Sequence, residues 1–339
     1  MSAPVRWLSG LAGWLDRWLV IVVLAAAALG MGWPSPSRAT VSHHGISVAL
    51  VVLVGAVGLG LPAGAVRQAR AAAGRVLAAL AVGAFVLPIL AYAASRIAPA
   101  GPLRLGVLAA GVAPSEVAAV ALAALAGGQA AVAAAVLAGS TMVSVLAAGV
   151  QLQLLAGGAA FSTVGLIGSL TWIVAVPLVT GAVLGRVAAR WQAAVVEQAA
   201  TTIATLAVLV LIWLVAGQAH LDARYLRAGL ALVIFLAGST LAGALVSIGL
   251  PRHRAVSLLL PVAMRDFAIA AGIATAAFGP AASAPLGLYG ILVLLFGAAA
   301  SRLVKPRDNL RPASHGSRRP ARHALPLLPA LKDEHMNSL

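Results

Sequence analysis

Apolar residues in this chain do not alternate with polar ones. They run in blocks of about 20, the length an α-helix needs to cross the hydrocarbon core of a bilayer. Ten such blocks can be placed, at roughly 14–32, 45–63, 75–95, 103–126, 129–155, 163–186, 197–217, 226–249, 255–278 and 284–304. The pattern predicts an all-α membrane protein of ten transmembrane helices joined by short connections. Two blocks are broken from within. In the fourth, "GVAPSE" places Gly111 and Pro114 ahead of Glu116, with Ser115 as a candidate cap for a second half-helix over Val117–Ala126. In the ninth, Pro261 removes a backbone donor shortly before Arg265 and Asp266, leaving a second half-helix after Asp266.

Comparing the chain with itself at a shift of 150 residues lays block 1 on 6, 3 on 8, 4 on 9 and 5 on 10, with Arg104 on Arg254 and Glu116 on Asp266. Five crossings per copy is an odd number, so the second copy enters from the other side. The expectation is an inverted-topology repeat, about 14–155 and 163–304, with discontinuous fourth and ninth helices that cross. Chance pairing of evenly spaced apolar blocks is the competing explanation. The transmembrane domain then spans 1–304, and 305–339 is a basic, disordered tail.

Composition agrees with the blocks. Of 339 residues, 62% are hydrophobic and 9% charged, too few charges to wet the surface of a soluble domain. Aromatics make up only 5%, and Ala, Leu, Val and Gly dominate, which favours helices packed through small residues over a β-barrel. There is no Cys, hence no disulfide, thiolate ligand or Cys nucleophile. The net charge of +15 sits mostly in the connections and from Arg302 onward. That is the distribution of cytoplasmic loops and of a lipid-touching tail rather than of a nucleic-acid surface. Arg67, Arg70, Arg75, Arg186, Arg190, Arg252 and Arg254 fall on one side with both termini, which places both ends in the cytoplasm and the chain in a bacterial-type inner (plasma) membrane. Arg38, Arg96, Arg104, Arg224 and Arg227 lie opposite, so the bias is incomplete. The stretch Trp18–Gly32 follows Arg6 and Arg17 as a signal sequence would, but further spans follow it, and it reads as an uncleaved first span.

Of eight acidic residues, only Glu116 and Asp266 fall deep inside apolar blocks, each beside a break. A charge at that depth costs at least about 2.5 kcal/mol on insertion scales, so charges retained near one centre point to function. A half-helix starting at mid-membrane directs free amides at the gap, while carboxylates and freed carbonyls offer oxygen to a cation. Pro114, Ser115, Glu116, Arg265 and Asp266 are therefore the candidate substrate- and ion-binding residues, with Ser140, Thr141 and Ser144 of block five as possible hydroxyl donors to the same cavity. Na+ or H+ is the expected coupling ion, at Glu116 and Asp266, and no cofactor or resident metal is implied. The alternative is structural: Arg265 neutralises an acid, Glu116 serves the helix dipole, and the hydroxyls bond their own helix. His43 and His44, beside "WPSPSR", read as solvated histidines of an outer connection.

Around "APSEVAAVALAALAGGQAAVAAAVLAGS" and "PVAMRDFAIAAGIATAAFG" the chain resembles the bile acid:sodium symporter family and its arsenite-carrier relatives. The resemblance implies ten spans as two inverted five-helix repeats, a core domain holding the crossing spans 4 and 9, and a panel domain of spans 1, 2, 6 and 7. It also implies transport of a small organic anion or related solute. Sodium symporters of this group commonly carry a Ser-Asn pair where Ala119 and Val120 align, and a Glu-x-Gly-x-Gln-Asn pattern where Pro261, Ala263, Arg265 and Asp266 align, so several sodium oxygens are replaced here.

The resulting expectation is a secondary active transporter, not an enzyme, working by alternating access in the lipid bilayer, with Arg265 as counter-charge to substrate or acid. Uncoupled or proton-coupled export of the arsenite type stays open, as does a passive channel built on inverted half-helices, though Asn-Pro-Ala signatures are absent. An intramembrane hydrolase is disfavoured because every His falls in a connection, a terminus or a span edge. Substrate identity and oligomeric state stay open.

Overall fold

The structure, a computed structural model, describes residues 18, 21–61, 70–157, 161–219 and 222–304. The expected tail at 305–339, the start of the first span and Arg67 lie outside the described residues. The described part belongs to one compact unit and is helical throughout: among the described residues no strand forms. In chain order the helices are α1 (Ile21–Gly32), α2 (Pro34–Ser42), α3 (Gly45–Leu59), α4 (Ala73–Ala81), α5 (Leu87–Ser95), α6 (Pro102–Val112), α7 (Ala118–Leu125), α8 (Ala130–Leu155), α9 (Thr163–Leu170), α10 (Val176–Ala216), α11 (Ala223–Val246), α12 (Arg252–Ala263), α13 (Phe267–Phe278) and α14 (Ala284–Val304).

Among the described residues, six helical stretches are long and apolar enough to cross a bilayer: Ala73–Ser95, Ala130–Leu155, Thr163–Arg190, Ala193–Ala216, Ala223–Val246 and Pro280–Ala300. The pair α2 and α3, bent by 80°, would make a seventh. Large apolar side chains such as Phe85, Leu154, Val164, Trp172 and Leu226 point outward. An exterior of this kind suits lipid rather than water. The chain is an integral membrane protein.

Among the described residues, two membrane-length stretches carry a π-helical turn, Val82–Val86 between α4 and α5 and Thr171–Ala175 between α9 and α10. Each is followed by a proline two residues on, Pro88 and Pro177. Proline has no N–H for the carbonyl four residues earlier and its ring crowds that carbonyl, so the helix widens there instead of breaking.

Glycine brings α3 and α10 into backbone contact. A Cβ on Gly58 would lie 2.3 Å from the Leu178 oxygen, one on Gly181 2.2 Å from the Gly55 oxygen, and one on Gly185 2.3 Å from the Leu59 oxygen. Gly181 and Gly185 are one helical turn apart, the small-xxx-small spacing that lets membrane helices pack at close range.

Two expectations are corrected. The connection around His43 and His44 is mostly helical: Pro34 starts α2, and His44, in the left-handed conformation at φ 62°, turns the chain into α3. The connection expected at 186–197 does not interrupt α10, whose helical bonding continues from Val176 to Ala216. The rod is bent all the same. Gly185 and Ala200 both lie against Leu59–Gly60, although a straight helix would separate them by about 22 Å. The turn between two crossings is thus made by a bend in a continuous helix. As expected, the second half-helix starts after Asp266: Pro261 sits inside α12, and the chain unwinds at Met264–Asp266.

The breaks between α6 and α7 and between α12 and α13 lie at the centre of the packing. Residues 106–113 are all buried, and of α13 Phe267 to Ala271, Ile273 and Ala274 are buried.

Candidate functional site

Each break is a short extended segment, and the two segments pair. The N–H of Glu116 donates to the Met264 carbonyl and the N–H of Asp266 to the Pro114 carbonyl, both at 2.9 Å, with Ser115 opposite Arg265 in an antiparallel bridge. Unwinding a helix at this depth frees backbone groups that lipid cannot satisfy. Here the two unwound segments satisfy one another.

Side chains from neighbouring helices complete the pairing. On α8, the Ser144 hydroxyl donates to the Val112 carbonyl at 2.6 Å, closing the end of α6. On α11, the Ser239 hydroxyl lies 2.7 Å from the Ala263 carbonyl, at the end of α12. The Ser140 oxygen accepts from the Ser115 N–H at 3.0 Å, and its hydroxyl lies 3.1 Å from that of Ser115. The N–H of Arg265 donates to the Tyr289 hydroxyl on α14 at 3.4 Å, and the Arg265 guanidinium donates through Nη2 to the Ala113 carbonyl.

Three ionisable side chains thus meet inside protein. Glu116, Arg265 and Asp266 are 2%, 3% and 1% exposed, away from both lipid and water. One oxygen of Asp266 caps α13, accepting from the N–H groups of Ala268 and Ile269 at 2.9 and 2.8 Å. Negative charge is favoured at a helix N-terminus, where backbone donors converge. The Glu116 carboxylate interacts with the N–H groups of Ala118, Phe267 and Val117, so it addresses the starts of both second half-helices. Each acid keeps one oxygen spare. Glu116 Oε2, Asp266 Oδ2 and Arg265 Nε are buried without a hydrogen-bond partner.

Beside this centre lies a cavity of about 10 Å³, room for about one water molecule, bounded by Gly83, Val112, Ser140, Ser144, Gln151 and Arg265. Gln151 explains its wall. Its Nε2 donates at 2.6 Å to the carbonyl of Ala84, the group that Pro88 deprives of its helical donor. The π-helical turn therefore opens beside Arg265 and is held open by a side chain of α8.

The candidates from the sequence are thus brought together, with two exceptions in detail. Ser115 does not cap α7, whose first turn has no side-chain cap; it bonds to Ser140 instead. Thr141 bonds the Leu137 carbonyl of its own helix at 2.8 Å and takes no part in the pairing. Three contributors went unread: Ser239, Tyr289 and Gln151. A lone Tyr, Ser or Gln in an apolar span carried no distinguishing signal, although Pro88 announced a free carbonyl at Ala84 that some donor had to meet. Among the described residues no three His, Cys, Asp or Glu side chains gather as a transition-metal site requires.

No curated protein matches the chain. The family model of the sodium bile acid symporters matches residues 47–226, which contain the first break and the helices on either side of it, while the second break lies beyond the match. Its members are transporters and not enzymes. With a matched stretch covering more than half of the sequence, the chain belongs to the sodium bile acid symporter family.

Proposed function

We propose that the chain is a secondary active transporter that moves a small organic anion or related solute by alternating access, driven by a cation gradient of Na+ or H+. One observation carries the reading: two interrupted helices meet at a backbone bridge and enclose two carboxylates, each with an unpartnered oxygen, beside an arginine. Interrupted helices paired at mid-membrane are where secondary transporters hold substrate and coupling ion. The architecture that fits has ten crossings as two inverted five-helix repeats, about 14–155 and 163–304. The six to seven membrane-length helices and the two broken pairs are compatible with it. On this reading residues 1–304 form the transport domain, 305–339 a cytoplasmic tail, and both termini face the cytoplasm of a bacterial-type inner membrane. Pro114, Ser115, Ser140 and Ser144 shape the crossing, while Glu116 and Asp266 carry the coupling charge.

The test is accumulation in proteoliposomes, with inward sodium and proton gradients applied separately, across a panel of radiolabelled organic anions that includes bile acids. Glu116→Gln and Asp266→Asn should stay folded and keep counterflow exchange but lose gradient-driven accumulation, because neutral amides cannot cycle between charged and uncharged states. Unchanged coupling in both variants sinks the assignment of the acids. Flux that neither saturates nor follows a gradient replaces the carrier by a channel.

A further inference from the structure

A buried guanidinium calls for a counter-charge, because an unpaired charge away from water is costly. That of Arg265 finds none at contact distance. No carboxylate oxygen of Glu116 or Asp266 lies within 4.0 Å of its nitrogens, close enough to form an ion pair. Both acids turn instead to the starts of α7 and α13, where they meet the N–H groups of Val117, Ala118, Phe267, Ala268 and Ile269. The guanidinium makes one hydrogen bond, from Nη2 to the Ala113 carbonyl. Its Nε is buried without a partner, and Nη1 lies against Gly83.

The small cavity beside it has the matching character. Gly83, Val112, Ser140, Ser144, Gln151 and Arg265 bound it, and neither acid does. The backbone carbonyls of Val112 and Ala84, which could draw a cation there, already accept from Ser144 and Gln151. Donors are left over: Nε and Nη1 of Arg265, and the second amide hydrogen of Gln151, whose first is spent on Ala84.

We propose that this cavity is a seat for one small monovalent anion, a halide ion or the carboxylate end of an organic acid, held on the Arg265 guanidinium between the π-helical turn and α8. A guanidinium offers a carboxylate two parallel bonds and a halide a converging pair of donors. At about 10 Å³ the cavity admits an ion or the tip of a molecule, not a whole solute. One positive charge balances one negative charge, so a divalent anion is left in excess. The inference rests on the transporter reading only where the carboxylate belongs to the transported solute.

The test is the thermal unfolding midpoint of the purified full-length protein in detergent. Choline chloride or choline formate is titrated against choline methanesulfonate, whose bulkier head the cavity excludes, at constant ionic strength. Wild type should show a saturable rise in midpoint with chloride, formate or both. A response to chloride alone assigns the seat to an inorganic ion, and one to formate alone assigns it to carboxylates. Arg265→Gln should weaken the apparent affinity about tenfold or more. Gly83→Ala keeps the charge but sets a methyl 3.2 Å from Nη1; it should weaken binding as well, and it decides the matter if the glutamine variant does not fold. A wild-type midpoint that answers to neither anion overturns the proposal. So does a response that is the same in the folded variants. Because binding is read without flux, failure to find a transported solute leaves this result standing, and a working carrier with no such response sinks the seat alone.

Discussion

Asp266 has two separable duties, and substitution can tell them apart. Its Oδ1 caps α13 through two N–H groups, while its Oδ2 has no partner. Asparagine keeps an oxygen for the cap; alanine keeps nothing. Asp266→Ala is therefore expected to lose about 1–2 kcal/mol of stability relative to Asp266→Asn, read as a lower unfolding midpoint in detergent. Equal midpoints would mean that the cap contributes nothing. Ser144→Ala should cost about 0.6–2 kcal/mol by orphaning the Val112 carbonyl, whereas Thr141→Val should be nearly neutral, since Thr141 bonds only its own helix. The same scale shows what the sequence could reveal. Two acids and an arginine in apolar blocks are legible because burying charge is expensive. Ser239 and Tyr289 are ordinary residues whose importance comes from backbone groups that only the folded crossing brings within reach.

Among the elements, α3 and α10 depend most on what is missing from their side chains. Gly181→Leu must push its Cβ toward the Gly55 carbonyl, 2.2 Å away, and neither helix backbone can yield easily. Overpacking of this kind costs about 1–3 kcal/mol, and a thermal unfolding scan should show the loss; no loss would mean that the two helices separate freely. Gly74, where a Cβ meets nothing within 4 Å, is the control position. The apolar blocks announced most of the helices because length and hydropathy alone set them. They did not announce α2 or the continuous helix through 186–197. Polar residues in a connection are as compatible with a solvated helical turn as with a loop, and periodicity cannot choose. Pro261 was a fair guide: a proline loosens the turn that lacks its N–H, and α12 continues past it to Ala263 before the chain unwinds ahead of Arg265.

For the whole molecule, the charge asymmetry makes a topological prediction. With no native Cys, single cysteines placed at Arg70, Arg190 and Arg252 should be shielded from a membrane-impermeant maleimide in intact cells and labelled after lysis. Cysteines at Arg96 and Arg224 should be labelled in intact cells. The opposite pattern would invert the assignment. The all-helical membrane class was legible because bilayer thickness imposes its own ruler on the sequence, and the place where the two breaks pair because helix breakers and charges coincide there. The manner of the crossing was not, since register between two unwound segments depends on hydrogen bonds that span 150 residues of chain.

That register has a mechanical consequence. Two backbone hydrogen bonds rivet the breaks together, so sliding one broken helix past the other would strand both pairs of groups where no water replaces them. On the proposed alternating-access reading, motion that exposes the site to alternate sides must then carry the riveted pair as a single piece, with the slip surface elsewhere. Deuterium should enter the amides of Glu116 and Asp266 last of all, and on that reading at rates indifferent to the side of the membrane that is open.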